Sequence, residues 1–395
     1  MDRLRQSFIS VALTGIMLSL APTHILASGS GAGRGSPSVA VCGIPSAAAP
    51  VCSSRVLLDS SGANPVATTS PQGYNPPDLQ SAYNLPSGAG TGQIVAVVDA
   101  YDGPTAESDL AVYRSMFGLP PCTTANGCFK RVDQTGGTNY PKADHGWAFE
   151  IAVDVEMVSA ICPSCHILVV EATTNSWTDM TAAVNEAAAQ GATEISNSYI
   201  GTEFSGELNL DAAYNHPGIA VTASSGDSGF GPLYPAASPY VTAVGGTTLS
   251  HASSRRGWNE VAWSGSGSGC SAYEPQPTWQ ASNRSIPGAC KMRAIADVSA
   301  VADVSVSVYD SFGYHGSRDW FLAGGTSVSS PIIASVYALA GNAASVVYGS
   351  YPYSHPKLFD VISGSNGSCG NLLCNAASGW DGPTGLGTPN GTGAF

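Results

Sequence analysis

The chain has 395 residues, 43% of them hydrophobic, which is enough to fill one large core and excludes a disordered chain. Only 11% are charged, and 28 acidic against 15 basic residues give a net charge of -13, which excludes nucleic acid or an anionic membrane surface as an electrostatic partner.

Taken from the N-terminus, Arg3 and Arg5 precede an apolar run over residues 8–21 and small residues at Ala27 and Ser28. That order predicts a secretory signal peptide over 1–27, since the run is shorter than the roughly 18 apolar residues a membrane span needs. Residues 28–73 are rich in Gly, Ser, Ala and Pro and predict a flexible lead-in or short propeptide. The ten cysteines fall into neighbouring pairs, Cys42 with Cys52, Cys122 with Cys128, Cys162 with Cys165, Cys270 with Cys290 and Cys369 with Cys374. In an exported chain these predict five local disulfides, and a single C-x-x-C without a second ligand pair is weak evidence for zinc or redox chemistry.

A domain over 74–395 is predicted by alternating patterns: strand 94–98 and helix 105–117, strand 166–170 and helix 177–190, strand 194–199, a helix near 207–214, and strand 219–224. Alternation of this kind implies an α/β fold, a mainly parallel sheet with helices on both faces, and ligands bound at the carboxyl ends of the strands. Asp99 and Asp227 stand at such ends. Residues 255–310 read as loops and short strands around the same core.

The strongest local signal is Gly324-Gly325-Thr326-Ser327-Val328-Ser329-Ser330-Pro331 ahead of a helical stretch over 332–340. Glycines permit a tight turn, and a Ser at a helix start has free N–H groups and a positive dipole end beside its oxygen, which suits a nucleophile. Pro331 is expected in the first turn of that helix. The base must separate two kinds of enzyme that share this string. In Phe149-Glu150-Ile151-Ala152-Val153-Asp154, Glu150 stands where a subtilisin has its His, and Asp154 four residues on shares its helix face. Ile151, Val155 and Val158 form the adjacent apolar stripe. In Ala223-Ser224-Ser225-Gly226-Asp227-Ser228-Gly229, Asp227 replaces the subtilisin oxyanion Asn, and it donates to an oxyanion only when protonated.

At these residues the chain resembles the sedolisins, the serine-carboxyl peptidases of subtilisin-like fold. The likeness runs from residue 74 onward and includes Asp78-Leu79-Gln80-Ser81-Ala82-Tyr83, Pro277-Thr278-Trp279-Gln280 and Gly379-Trp380-Asp381-Gly382-Pro383. It implies a secreted, acid-acting endopeptidase, monomeric and acting on polypeptides, with Ser327, Glu150 and Asp154 as triad and Asp227 as oxyanion residue. It also implies one structural Ca2+ held by the carboxylates of Asp360 and Asp381 and the carbonyls of Val361, Ala377 and Gly379. Oxygen-only ligands suit calcium. Asp99 is assigned a supporting place in the carboxylate network. Residues 28–73 are too few for the long folded prodomain usual in the family, which leaves open how activity is restrained. Two rivals remain: a subtilisin-like triad of Asp99, His145 and Ser327, with His145 in a polar loop outside the helix, and a binding protein that keeps the fold without activity.

Overall fold

The computed structural model describes residues 37–395; the predicted signal segment and the start of the lead-in lie outside the described residues. The central sheet is built from β1 (Ile94–Ala100), β2 (Phe129–Asp133), β3 (His166–Ala172), β4 (Glu194–Asn197), β5 (Ala220–Ser224), β6 (Thr242–His251), β7 (Trp258–Ala262) and β8 (Val298–Val301). Their order is β7-β6-β5-β4-β1-β3-β2, with β8 beside β6. All ladders are parallel except β6 with β7. Strand β1, Ile-Val-Ala-Val-Val-Asp-Ala, is buried along nearly its whole length, as a β-branched run covered on both faces should be. The longer helices are α1 (Ala106–Met116), α2 (His145–Ile161), α3 (Trp177–Ala189) and α4 (Thr326–Ala340). Helices α2 and α4 pack on each other over the sheet, and α3 packs on β1 and β3.

Helix α2 departs from the amphipathic pattern. Asp144 caps it by accepting from the Gly146 and Trp147 N–H groups at 2.9 and 3.1 Å. Every residue from Gly146 to Ile161 is buried, so the helix runs through the core and the stripe of Ile151, Val155 and Val158 is only part of its apolar surface. Glu150 and Asp154 are therefore carried into an environment that penalises charge.

Four expectations are corrected. The predicted strand over 194–199 breaks after Asn197 and resumes as a separate strand, Tyr199–Thr202, in a three-stranded sheet. The helix expected near 207–214 is two short 3-10 turns, Glu207–Asn209 and Asp211–Ala213. Helix α4 begins at Thr326, so Pro331 lies inside it rather than in its first turn, and its missing N–H leaves the Ser327 carbonyl out of the helix ladder. His145 is the first residue of α2, not a loop residue.

The described part of the lead-in is also not the flexible segment expected. Its strands Ser38–Ala40 and Arg55–Leu57 pair with each other, Arg55 and Val56 pair with Gly324 and Ala323, and Val51–Cys52 pairs with Tyr199–Thr202. A Gly- and Pro-rich composition hid these pairings because the partner strands lie far along the chain. All five predicted disulfides form, and no described cysteine is free. No helix among the described residues is long and apolar enough to cross a membrane.

Candidate active site

The carboxyl ends of β1, β4 and β5 converge on the N-terminus of α4, where sheets of this kind bind ligands. Gly325, at φ +97°, turns the chain into the helix in a conformation that side-chain-bearing residues rarely adopt. Ser327 follows in the first turn, fully buried, its Oγ 3.3 Å from the Ser198 carbonyl oxygen and 2.9 Å from Ser53 Oγ. Its backbone N–H, one of the donors a helix start leaves free, donates to the Ser53 carbonyl at 3.4 Å.

Across from it, Asp99, Glu150 and Asp154 bring one carboxyl oxygen each within 4.8 Å of one another, all three fully buried. Ser198 Oγ donates to Asp154 Oδ1 at 2.8 Å. The other Asp154 oxygen and both oxygens of Asp99 and Glu150 have no hydrogen-bond partner. Burial raises the pKa of Glu150 well above the usual range, the Asp99 charge adds to it, and the nearby Ser327 and Ser54 hydroxyls pull it back. Asp154 is raised by burial and then by Asp99 and Glu150; Asp99 by burial and then by Glu171. With no cation against them, such groups share protons instead of all ionising.

Asp227 lies on the loop after β5. Its Oδ1 accepts from the Thr326 N–H at 2.7 Å and from Thr326 Oγ1 at 2.9 Å, while Oδ2 has no partner. Burial pushes its pKa up to about 7, so in acid the carboxyl keeps a proton, and Oδ2 is the oxygen free to carry it.

No family model matches the chain. It is 30% identical to kumamolisin of Bacillus sp. (strain MN-32) over 82% of this chain and 63% of that protein. It is 27% identical to sedolisin of Pseudomonas sp. (strain 101) over 83% of this chain and 62% of that protein. The solved structure of Pseudomonas sedolisin, a serine-carboxyl proteinase complexed with pseudo-iodotyrostatin, superposes with a TM-score of 0.67 at 26% identity, over 82% of this chain and 96% of that one.

The chain is a sedolisin homologue. It spans somewhat less than two thirds of the length of those two relatives, and it shares their subtilisin-like α/β fold.

In this sedolisin homologue the residues singled out from sequence, Ser327, Glu150, Asp154, Asp227 and Asp99, meet in one place. His145 does not join them: its Nδ1 is 2.7 Å from the Gly313 carbonyl oxygen and its ring stacks on Phe312. The segments carrying the expected calcium ligands also meet. Asp360 Oδ2 accepts from the Gly379 N–H at 3.0 Å, and Asp381 Oδ2 accepts from the Ala377 N–H at 2.9 Å. Burial, with the Asp360 charge as a smaller cause, pushes Asp381 up to about 7. An all-oxygen donor set around two carboxylates without a compensating cation fits calcium.

Ser53, Ser54 and Ser198 also face the site and carry no sequence signal of their own. The readable hint was positional: Cys52, paired with Cys42, stands directly before Ser53.

Proposed function

We propose that the chain is a secreted, acid-acting serine-type endopeptidase that hydrolyses peptide bonds in proteins through an acyl-enzyme. The single observation that carries the reading is a buried serine hydroxyl at a helix N-terminus facing a cluster of carboxyl groups, with no histidine among them.

In this mechanism Ser327 Oγ attacks the peptide carbonyl while Glu150 accepts its proton and returns it to the leaving amine. Asp154, fixed by Ser198, orients and tunes Glu150, and Asp99 adds to the proton-sharing network. The Ser327 N–H and protonated Asp227 Oδ2 hold the developing oxyanion. A carboxylate is still partly ionised at pH values where a His would be fully protonated, so this site works on the acid side. Burial raises every ionisation of the Asp99, Glu150 and Asp154 group and mutual repulsion raises the later ones further, so the first and lowest ionisation supplies the one base that is needed.

Calcium at Asp360, Val361, Ala377, Gly379 and Asp381 would supply structural charge compensation. Export is supported by the residue 1–27 pattern and the five disulfides. The substrates would be polypeptides and the enzyme a monomer. Digestion of a denatured protein in acid, with sequencing of the product ends and Ser327→Ala as control, tests the reading. Absence of cleavage from the unmodified chain across the acid range defeats it.

A further inference from the structure

The strand Tyr199–Thr202 begins one residue after Ser198, whose carbonyl oxygen lies 3.3 Å from Ser327 Oγ. Val51–Cys52, part of a strap over residues 38–57, pairs with it along one edge, and Leu233–Tyr234 pairs with it along the other. A sheet edge beside a nucleophile is a natural seat for an extended peptide. The segments that fix the far end of this strand are acidic.

Glu203 directly follows the strand. It accepts from Ser271 Oγ and, at 3.1 Å, from the Ala272 N–H, which ties the strand's end to the strand Gly269–Pro275. Glu207 opens the first of the two 3-10 turns, and its Oε2 accepts from the Phe204 N–H at 2.8 Å. Asp211 opens the second, and the Tyr234 hydroxyl donates to its Oδ1 at 3.1 Å. Glu274 comes from Gly269–Pro275, where its N–H donates to Ser271 Oγ at 2.8 Å.

These four carboxyl groups meet in pairs. Glu207 lies within hydrogen-bonding reach of Glu203, and Glu274 of Asp211. Glu207 and Glu274 are fully buried, and no N–H or hydroxyl donates to Glu207 Oε1 or to either Glu274 oxygen. A carboxylate has nothing to donate, so two carboxyl groups in contact need a proton between them. The cation facing the group is Arg293, and its guanidinium is committed to Asp297 at 2.7 and 2.5 Å. Tyr214, Tyr234 and the Ser238 hydroxyl complete the polar surroundings on the Asp211 side.

We propose that Glu203, Glu207, Asp211 and Glu274 form an acid latch: two proton-bridged carboxyl pairs that hold Tyr199–Thr202 and the turns after it against Gly269–Pro275, and that open when the bridging protons leave. The use of that strand for substrate rests on the peptidase reading above, whereas the latch stands without it. Burial pushes Glu207 up to about 8, and burial together with the Asp211 charge pushes Glu274 up to about 9. Solvated in an opened segment, the same groups titrate at roughly 4. Closure is therefore favoured fully below about pH 4, weakens as the pH rises, and has lost the contribution of the bridges above 8 to 9. Beyond that point two like charges face each other in each pair in a low dielectric. The strand that would carry a peptide is thus firm in acid and loose in weak alkali.

The experiment is pulsed hydrogen–deuterium exchange on the full chain from pH 5 to 9, read as protection factors so that the ordinary rise of amide exchange with hydroxide is divided out. In residues 199–214 and 269–275 protection should fall roughly tenfold per pH unit for each bridge up to about pH 8, then level off. In Glu207→Gln combined with Glu274→Gln the amide nitrogen donates in place of the shared proton, and the remaining oxygen of residue 207 still accepts from Phe204, so protection in these segments should stay level. A parent whose protection there is flat with pH, or a double variant that falls as steeply as the parent, overturns the latch. Should the two changes together unfold the protein, the single variants decide: each is expected to remove the slope of one bridge, and an unchanged slope in both overturns the latch. Opening of this kind in a chain that cleaves no peptide in acid keeps the latch and defeats the peptidase reading alone.

Discussion

The Thr326 N–H donates to Asp227 Oδ1 at 2.7 Å, and Oδ2 is left without a partner. With Oδ1 occupied, Oδ2 is the free position, and it donates only while the carboxyl keeps its proton. Asp227→Asn should preserve the geometry, its carbonyl accepting from Thr326 and its amide donating at any pH. The folded variant is expected to stay within about tenfold of the parent in acid, with its alkaline limit moved above the value near 7 that Asp227 sets. Asp227→Ala should lose roughly 10²–10³ in kcat. An unmoved alkaline limb in Asp227→Asn removes the oxyanion role.

Ser327→Ala should lower turnover by roughly 10³-fold or more, because the proposed acyl-enzyme forms on its hydroxyl. The truncation deletes one hydroxyl and its contacts to Ser53 and Ser198, so melting temperature and circular dichroism should stay close to the parent's. Parent-like hydrolysis by this variant contradicts the nucleophile assignment.

Stability should be highest in acid and fall toward neutrality. Burial pushes Asp227 up to about 7 and Glu171 and Glu194 up to about 8, against roughly 4 in the unfolded chain. Below about pH 4 both states hold these protons and the contribution is complete. As pH rises through 7 to 8 the folded state must release them in a low dielectric, and the contribution is lost. Asp133, lowered to about 2 first by the Thr135 hydroxyl, acts oppositely and loses its contribution below about pH 4. Melting temperatures of Ser327→Ala, measured from pH 3 to 8, should peak near pH 4; a steady rise to neutrality is the opposing result.

Chelation should lower the melting temperature, and added calcium should restore it by an amount that grows with free calcium, because a ligand bound only by the folded state stabilises by mass action. Asp360→Ala combined with Asp381→Ala should abolish that response. A melting temperature indifferent to both chelator and calcium removes the site.

The parallel sheet and the carboxylate pair were legible because both rest on local patterns: β-branched runs such as β1, and the i, i+4 spacing of Glu150 and Asp154. Ser327 was legible because glycine must precede it for the turn. The strap was not, since residues 38–57 have no hydrophobic period and owe their order to pairing with Tyr199–Thr202 and Ser317–Gly324, far along the chain. The start of α4 was misplaced because Pro331 ordinarily marks a first turn. Here the carbonyl it leaves unpaired belongs to Ser327, which has Ser198 Oγ 3.5 Å away.

In the proposed mechanism a carboxylate, and no histidine, is the base for Ser327. The most direct measurement is kcat/KM against pH on an unstructured peptide, for the acid-treated chain and for His145→Ala. A bell on the acid side is expected in both, limited below by the first ionisation of the Asp99, Glu150 and Asp154 group and above by Asp227, which burial pushes up to about 7. A profile rising to a maximum near neutrality, inactive in acid and abolished by His145→Ala with the fold preserved, would contradict it.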